Sequence, residues 1–189
     1  MSKTDILRLE RLNAALQQFA GEQVRAAVMA GSDEIKETSS ARRKARWVRE
    51  AMERLDALSD TEARHRIMEE CGHQCAASNL RSLKKVQVLY RQTGDLDQVL
   101  AAMQQGAVGF RLRREGDVVH IFYERCFCSL VNAAQSVLSP TYCYCSKGFT
   151  QTVWEGILGR PVKVALARSI VAGASECEIV IDTQMEQQR

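Results

Sequence analysis

Six of the seven cysteines in this sequence fall into three closely spaced pairs. The pairs are Cys71 with Cys75, Cys126 with Cys128, and Cys143 with Cys145, whereas Cys177 stands apart. Thiolates act as metal ligands and as nucleophiles, and cysteines that only fill a core need not occur in pairs. The spacing therefore indicates thiolate chemistry.

The two Cys-X-Cys pairs favour a shared metal site. In extended backbone alternate side chains point the same way, so both sulfurs of a pair can face one centre. Four such thiolates suit tetrahedral zinc or an iron–sulfur cluster. We predict Cys126, Cys128, Cys143 and Cys145 as the main metal ligands. Zinc is favoured over an iron–sulfur cluster because nothing in the sequence requires electron transfer. The alternative is that these cysteines pack beneath a hairpin.

The pair Cys71 and Cys75 supplies two further candidate ligands. If a helix continues through this segment, residues four apart share one face, with Cβ atoms about 6 Å apart. In the alternative, Gly72 ends the helix and both thiols fill the core. His73 would point away from the cysteine face and is predicted to lie at the surface. Six paired thiols could hold one zinc with spare thiols, two metals, or an iron–sulfur cluster.

Cys145 is also the candidate catalytic residue. It directly precedes Ser146-Lys147-Gly148, where a helix is predicted to begin. The free amides and the positive end of a helix dipole stabilise a thiolate, and Lys147 would add to this effect. We therefore expect a lowered pKa for the Cys145 thiol. A nucleophile also needs a base, and His120 is the histidine in this half of the chain, but the sequence does not place it near Cys145.

The period of the apolar residues changes from helical to strand-like near residue 106. Before this point apolar residues recur with a period near 3.6, and after it they alternate. The predicted elements of the second half are Val108–Arg114, Val118–Tyr123, a helix over Gly148–Leu158, a strand from Val162, and a strand over Glu176–Asp182. We predict an α+β fold in one continuous unit, with a helical region over residues 1–106. A small antiparallel sheet with a packed helix follows over residues 107–183.

The composition indicates a globular protein. The chain has 189 residues, of which 46% are hydrophobic and 26% charged, as in globular proteins. The formal charge of +3 is too small to indicate a nucleic-acid or membrane partner. No apolar run approaches the ~20 residues of a membrane span.

An odd number of cysteines and a start without a secretory pattern predict a cytoplasmic protein with reduced thiols. The apolar spacing of the N-terminal helices would also allow a homodimer.

In the segment from Cys143 to Ile181, a Cys-Tyr-Cys-Ser-Lys-Gly-Phe stretch leads into a helix that ends at Leu-Gly-Arg-Pro-Val, and a cysteine follows in the closing strand. This segment resembles the end of the 4-vinyl reductase domain. The segment is also similar to related cysteine-rich bacterial and archaeal proteins and, more distantly, to the L-2-amino-thiazoline-4-carboxylic acid hydrolase family. Residue by residue, Cys145 and Cys177 match the family's cysteines, and Gly148 and Gly173 match its glycines. Ala174 departs from the pattern, because an acidic residue usually stands there.

This resemblance implies an α+β domain with a small-molecule pocket and, in some members, a bound metal. We therefore expect a cytoplasmic 4-vinyl-reductase-like protein that binds a metal through its paired cysteines and a small-molecule ligand beside the sheet. One alternative is a hydrolase of the thiazoline-carboxylate type, in which Cys145 or a metal-bound water attacks a small heterocycle. Another is a dimeric interaction protein whose cysteines are buried and structural.

Overall fold

Helices make up the first part of the chain. The computed structural model describes residues 4–77, 83–105, 108–134 and 137–184. Within these ranges the helices that precede the sheet are α1 (Thr4–Phe19), α2 (Glu22–Val28), α3 (Ala41–Leu58), α4 (Thr61–Ala77), α5 (Lys84–Thr93) and α6 (Leu96–Gln104). Side-chain caps are found at the starts of α3 and α6, among others. The Ser40 side chain accepts a hydrogen bond from the amide of Arg43, and the Asp95 carboxylate accepts one from the amide of Asp97.

The second part forms a four-stranded antiparallel sheet in the order β1-β2-β4-β3. The strands are β1 (Phe110–Glu115), β2 (Val118–Tyr123), β3 (Lys163–Arg168) and β4 (Cys177–Asp182), and two helices, α7 (Ser129–Ala133) and α8 (Tyr144–Leu158), lie between β2 and β3. The β1–β2 hairpin turns at Gly116, whose φ of 60° glycine adopts without strain. The predicted α+β fold, with its helical N-terminal half and antiparallel sheet, is confirmed.

One face of the sheet packs against α8. Ile121 pairs with Ile179 and Val119 with Ile181 across β2 and β4, so their side chains share one face of the sheet. They form a hydrophobic core with Trp154, which is fully buried in α8. Burial of a large apolar side chain contributes about 1.5–3 kcal/mol, so this core holds α8 firmly to the sheet.

A second hydrophobic core lies among α1, α3 and α4. Leu16, Met52 and Ile67 are completely buried there, one from each helix. Leu130 of α7 joins the same core from the second half of the chain. The apolar stripe of α1 is thus buried within a single chain, and the homodimer through the N-terminal helices stays a prediction. Within the described ranges, no helix has both the length and the apolar character that a bilayer crossing requires.

The helices α4 and α8 run side by side in the same direction. The rings of His65 and Tyr144 stack with centroids 3.4 Å apart. Further along both helices, Lys147 Nζ lies 2.7 Å from Glu69 Oε1, and His73 Nδ1 lies 2.8 Å from Thr152 Oγ1. His73 was predicted at the surface, but it lies in this partly buried contact because it faces α8.

Gly72 and Gly148 allow these two helices to touch through their backbones. A Cβ atom on Gly72 would collide with the carbonyl oxygen of Cys145, and one on Gly148 would collide with the carbonyl oxygen of Glu69. The alternative in which Gly72 ends a helix is therefore wrong, since α4 continues through it to Ala77. Glycine stands at this position because the neighbouring helix leaves no room for a side chain.

We expect Gly72→Ala and Gly148→Ala each to lower the free energy of unfolding by about 2–3 kcal/mol, as overpacking of a tight contact does. Helix propensity alone would give the opposite sign, since alanine favours a helix over glycine by about 1 kcal/mol. Urea denaturation measures the difference. Gly21→Ala is the control, because nothing lies within 4 Å of a Cβ there. Stability unchanged in both test variants would contradict the close contact.

Candidate functional site

A cavity of about 330 Å³ lies between the two hydrophobic cores. Its volume is at the lower end of the range for small-molecule sites, about 300–1,000 Å³. Leu12, Trp47 and Met52 line it from the helical side, and Phe149 and Ile179 line it from the side of α8 and the sheet. Most of its wall is thus formed by side chains that belong to, or pack against, one of the two cores.

All seven cysteines line this cavity, and all are free thiols. Cys71 and Cys75 come from α4, Cys126 and Cys128 from the segment before α7, Cys143 and Cys145 from the start of α8, and Cys177 from the start of β4. The structure therefore brings all of the predicted ligand residues to one place. It adds Cys177, which the spacing alone left outside the group.

The local backbone at Cys143 and Cys145 differs from the extended geometry that was predicted. Residues Pro140–Cys143 form a 3₁₀ turn that runs directly into α8, which begins at Tyr144 and not at Gly148. The Ser139 hydroxyl caps the turn by accepting a hydrogen bond from the amide of Thr141, and a proline suits the first position of such a turn. The two sulfurs therefore reach the cavity from a helical segment.

Burial keeps the deepest thiols protonated. It raises the pKa of Cys71 to about 12 and that of Cys143 to about 11. Burial also raises the pKa of Cys145 well above its ordinary value, and the nearby thiols of Cys128, Cys71 and Cys143 add to the rise. The expected lowering of the Cys145 pKa is therefore wrong. Burial outweighs the helix start, and the Lys147 ammonium is paired with Glu69.

The structure does not give Cys145 a histidine base. All three histidines lie in described residues, and none of them lines the cavity. His120 lies on β2, where its Nδ1 is 2.9 Å from Glu178 Oε1. His65 and His73 are engaged at the contact between α4 and α8. The arrangement is therefore not that of a cysteine nucleophile activated by an adjacent imidazole.

Sequence reasoning missed three arginines that line the cavity, Arg8, Arg11 and Arg125. Arg8 Nη1 donates a hydrogen bond to Ser129 Oγ at 3.0 Å, and Arg11 Nη1 is fully shielded from solvent. The charge of Arg8 opposes the rise in the Cys145 pKa, which places that charge close to the thiol.

The sequence does contain a signal for two of these arginines. Arg8 and Arg11 lie three apart on α1, so they share a helix face. They alternate with Leu9 and Leu12, which are buried. A pair of cations immediately beside the apolar stripe of a helix indicates charges at the edge of a core.

The cysteine sulfurs do not form the predicted four-thiolate site. In the part of the chain that the structure describes, no group of three or more histidine, cysteine, aspartate or glutamate residues is arranged to hold a metal ion. Cys126, Cys128, Cys143 and Cys145 surround a cavity and do not converge on one point at metal–ligand distances.

Comparison with known sequence families assigns the chain to one of them. The sequence profile of a family of unknown function, DUF6144, matches residues 2–187. The chain belongs to the DUF6144 family. No curated protein matches the sequence.

Solved structures of H-NOX domains share the fold of this DUF6144 protein. One is a mutant H-NOX domain from Shewanella oneidensis in the Fe(II)CO ligation state, with a TM-score of 0.52 and 13% identity, covering 95% of this chain and 98% of that one. Another is an H-NOX protein from S. oneidensis in the Fe(II)NO ligation state, with a TM-score of 0.50 and 12% identity, covering 95% and 99%. At these identities the likeness concerns the fold alone.

These findings overturn the function predicted from the sequence. Solved structures that share the fold include H-NOX domains in iron(II) ligation states, and the described residues hold no metal-binding group. A 4-vinyl-reductase-like protein with zinc or an iron–sulfur cluster on its paired cysteines is therefore wrong. The comparisons support neither alternative, the thiazoline-type hydrolase or the dimeric interaction protein. The resemblance of residues 143–181 to the 4-vinyl reductase domain is itself not tested and stays a prediction.

We expect Cys71, Cys143 and Cys145 to react slowly with iodoacetamide in the folded protein at about pH 8. Each unit of raised pKa reduces the thiolate population about tenfold, so labelling should be at least about a hundredfold slower than in urea. Peptide mass spectrometry over time measures the rate at each residue. N-acetylcysteine under the same conditions, with and without urea, controls for the reagent. Equal rates for Cys145 in the folded and unfolded chain would contradict its protection by burial, and a faster rate in the folded chain would indicate an activated nucleophile.

Proposed function

We propose that this protein binds a small, largely apolar molecule in the cavity between its two cores. The observation that carries the proposal is the cavity itself, whose walls combine residues from α1, α3, α4, α8 and the sheet. Concave sites with mostly apolar walls and few polar groups are typical of ligand-binding proteins. Binding is favoured over catalysis because the deepest thiols are held protonated and no histidine lines the cavity.

The segment before α7 provides the route into the cavity. Phe127 lines the cavity and is also 52% exposed to solvent, so its ring stands where the cavity meets the surface. The Arg125 guanidinium lies over this ring, 5.4 Å from its centroid. A ligand would enter beside these two side chains and pass between the Cys126 and Cys128 thiols and the helical wall.

We also propose a cytoplasmic location for the protein. All seven cysteines are free although they line one cavity. Cytoplasmic glutathione and thioredoxin keep thiols reduced, whereas secreted proteins commonly form disulfides.

A haem is the group that an H-NOX fold implies, so the cavity must be compared with that group. Haem iron is commonly held by a proximal histidine. None of the three histidines lines the cavity here, and each has a partner elsewhere: His65 stacks on Tyr144, His73 contacts Thr152 and His120 contacts Glu178. The residues present do not fit a histidine-held haem.

We therefore expect no histidine-ligated complex when haemin is added to the purified protein. Titration followed by visible absorption should give no saturable Soret band that depends on a histidine. His65→Ala, His73→Ala and His120→Ala should leave the titration unchanged. A one-to-one Soret complex that is lost in any of these variants would contradict the assignment. A complex that survives in all three variants but is lost in Cys145→Ser would replace the proposal with a thiolate-held haem.

A neutral fluorescent probe tests the cavity directly. N-phenyl-1-naphthylamine carries no charge and becomes bright in apolar surroundings. We expect saturable binding of about one probe per chain. Val131→Phe should weaken binding by about tenfold or more, because Val131 lines the cavity and a larger side chain there takes up ligand space.

Val88→Phe is the matched control for this experiment. Val88 lies on α5 and is 40% exposed, and it does not line the cavity. The control should bind the probe as the native protein does, and circular dichroism should show that both variants are folded. Absence of saturable binding, or equal weakening by both substitutions, would refute the proposed cavity function.

A further inference from the structure

We infer that the ligand is an apolar organic anion whose carboxylate is held by Arg8 and Arg11. This inference rests on the proposed function and names the chemical class of the ligand. It comes from the sign of the charges around the cavity, from the position of the two guanidinium groups, and from the apolar surface that lies beyond them.

The charged side chains that line the cavity are all positive. They are Arg8, Arg11 and Arg125, and among the described lining residues there is neither aspartate nor glutamate. The acids of the adjacent helix α4 do not line the cavity. The Glu69 carboxylate pairs with Lys147, and the Glu70 carboxylate, whose charge adds to the rise in the Cys71 pKa, accepts a hydrogen bond from Gln74. The charged groups on the cavity wall itself are therefore cationic.

Arg11 puts this charge inside the cavity and not only at its rim, because its Nη1 has no solvent exposure. Its charge opposes the rise in the pKa of Cys71. Arg8 also lines the cavity but lies nearer the surface, where its Nη1 donates a hydrogen bond to Ser129 Oγ, and its charge opposes the rise in the pKa of Cys145 and Tyr142. Arg125 is exposed beside Phe127, so it faces an arriving anion at the mouth.

Guanidinium groups match a carboxylate in shape as well as in charge. The planar fork can donate two parallel hydrogen bonds to the two carboxylate oxygens, and such charge-assisted bonds are about twice as strong as neutral ones. Two forks on successive turns of α1 offer this recognition from one rigid element.

The rest of the cavity suits a hydrocarbon body. Leu9, Leu12 and Met68 continue the wall from the two arginines on the helical side, and all three are buried. The cysteine side chains on the other walls act as small, polarisable apolar groups while they are protonated. The complementary ligand thus has one carboxylate and an apolar tail or ring system.

Displacement of bound N-phenyl-1-naphthylamine by decanoate and by decanol tests this inference. The two displacing compounds share a tail and differ in the charged head group. We expect decanoate to displace the probe from the native protein at about tenfold lower concentration or less, as a charge-assisted hydrogen bond allows. Arg8→Gln and Arg11→Gln should each remove most of this preference while decanol displacement stays the same.

Arg43→Gln is the control, because Arg43 pairs with Glu34 on the surface and does not line the cavity. It should keep the native preference, and Arg11→Lys should keep part of it because the charge remains. Probe binding by each variant shows whether its cavity is intact. Equal displacement by decanoate and decanol, or a preference that survives both glutamine variants, would overturn the inference and leave the proposed function standing. Failure of the native protein to bind the probe would refute the proposed function itself.

Discussion

The backbone contact between α4 and α8 at Gly72 and Gly148 is the constraint on which the rest of the structure depends. Residues of α4 up to Cys71 belong to the helical core, whereas the buried residues of α8 belong to the core beneath the sheet. Joining the two helices at the closest possible distance joins the two halves of the chain. Beside this contact, residues of the helical core face residues of the core beneath the sheet, and the cavity lies between them.

This helix contact also explains how distant cysteines meet. Cys71 and Cys75 lie on α4 next to Gly72, and Cys145 lies one turn before Gly148 on α8. Once the glycines touch, these thiols must line the same cavity. The burial of Cys71 and Cys145 follows from the same geometry, since each helix shields the thiol of the other from water. Burial raises the pKa of these two thiols, because a desolvated thiol holds its proton.

The sequence predicted the class of fold well because that information is local. The strand predicted over Val118–Tyr123 has the same first and last residues as β2. The strand predicted over Glu176–Asp182 begins one residue before β4 and ends with it. The start of α8 was misplaced because Cys-Tyr-Cys has no strong preference of its own, and the preceding 3₁₀ turn carries the helix back to Tyr144. The cysteine pairs could be expected to share one place. The sequence indicates Arg8 and Arg11 as charges at the edge of a core, but it does not show that α1 packs on α4 and brings the charge of Arg8 close to the Cys145 thiol.

The likeness to H-NOX domains shows how far a fold constrains a function. The same arrangement of helices and sheet accompanies iron ligation in those proteins, yet in this chain all three histidines are engaged outside the cavity. A shared fold does not imply a shared function, because the side chains that line a site decide its chemistry. In this member of the DUF6144 family the lining consists of cysteine sulfur, aliphatic and aromatic surface, and arginine. Under the proposed function such a wall would hold a ligand by apolar contact and by charge, and the glycine contact between α4 and α8 would hold that wall in place.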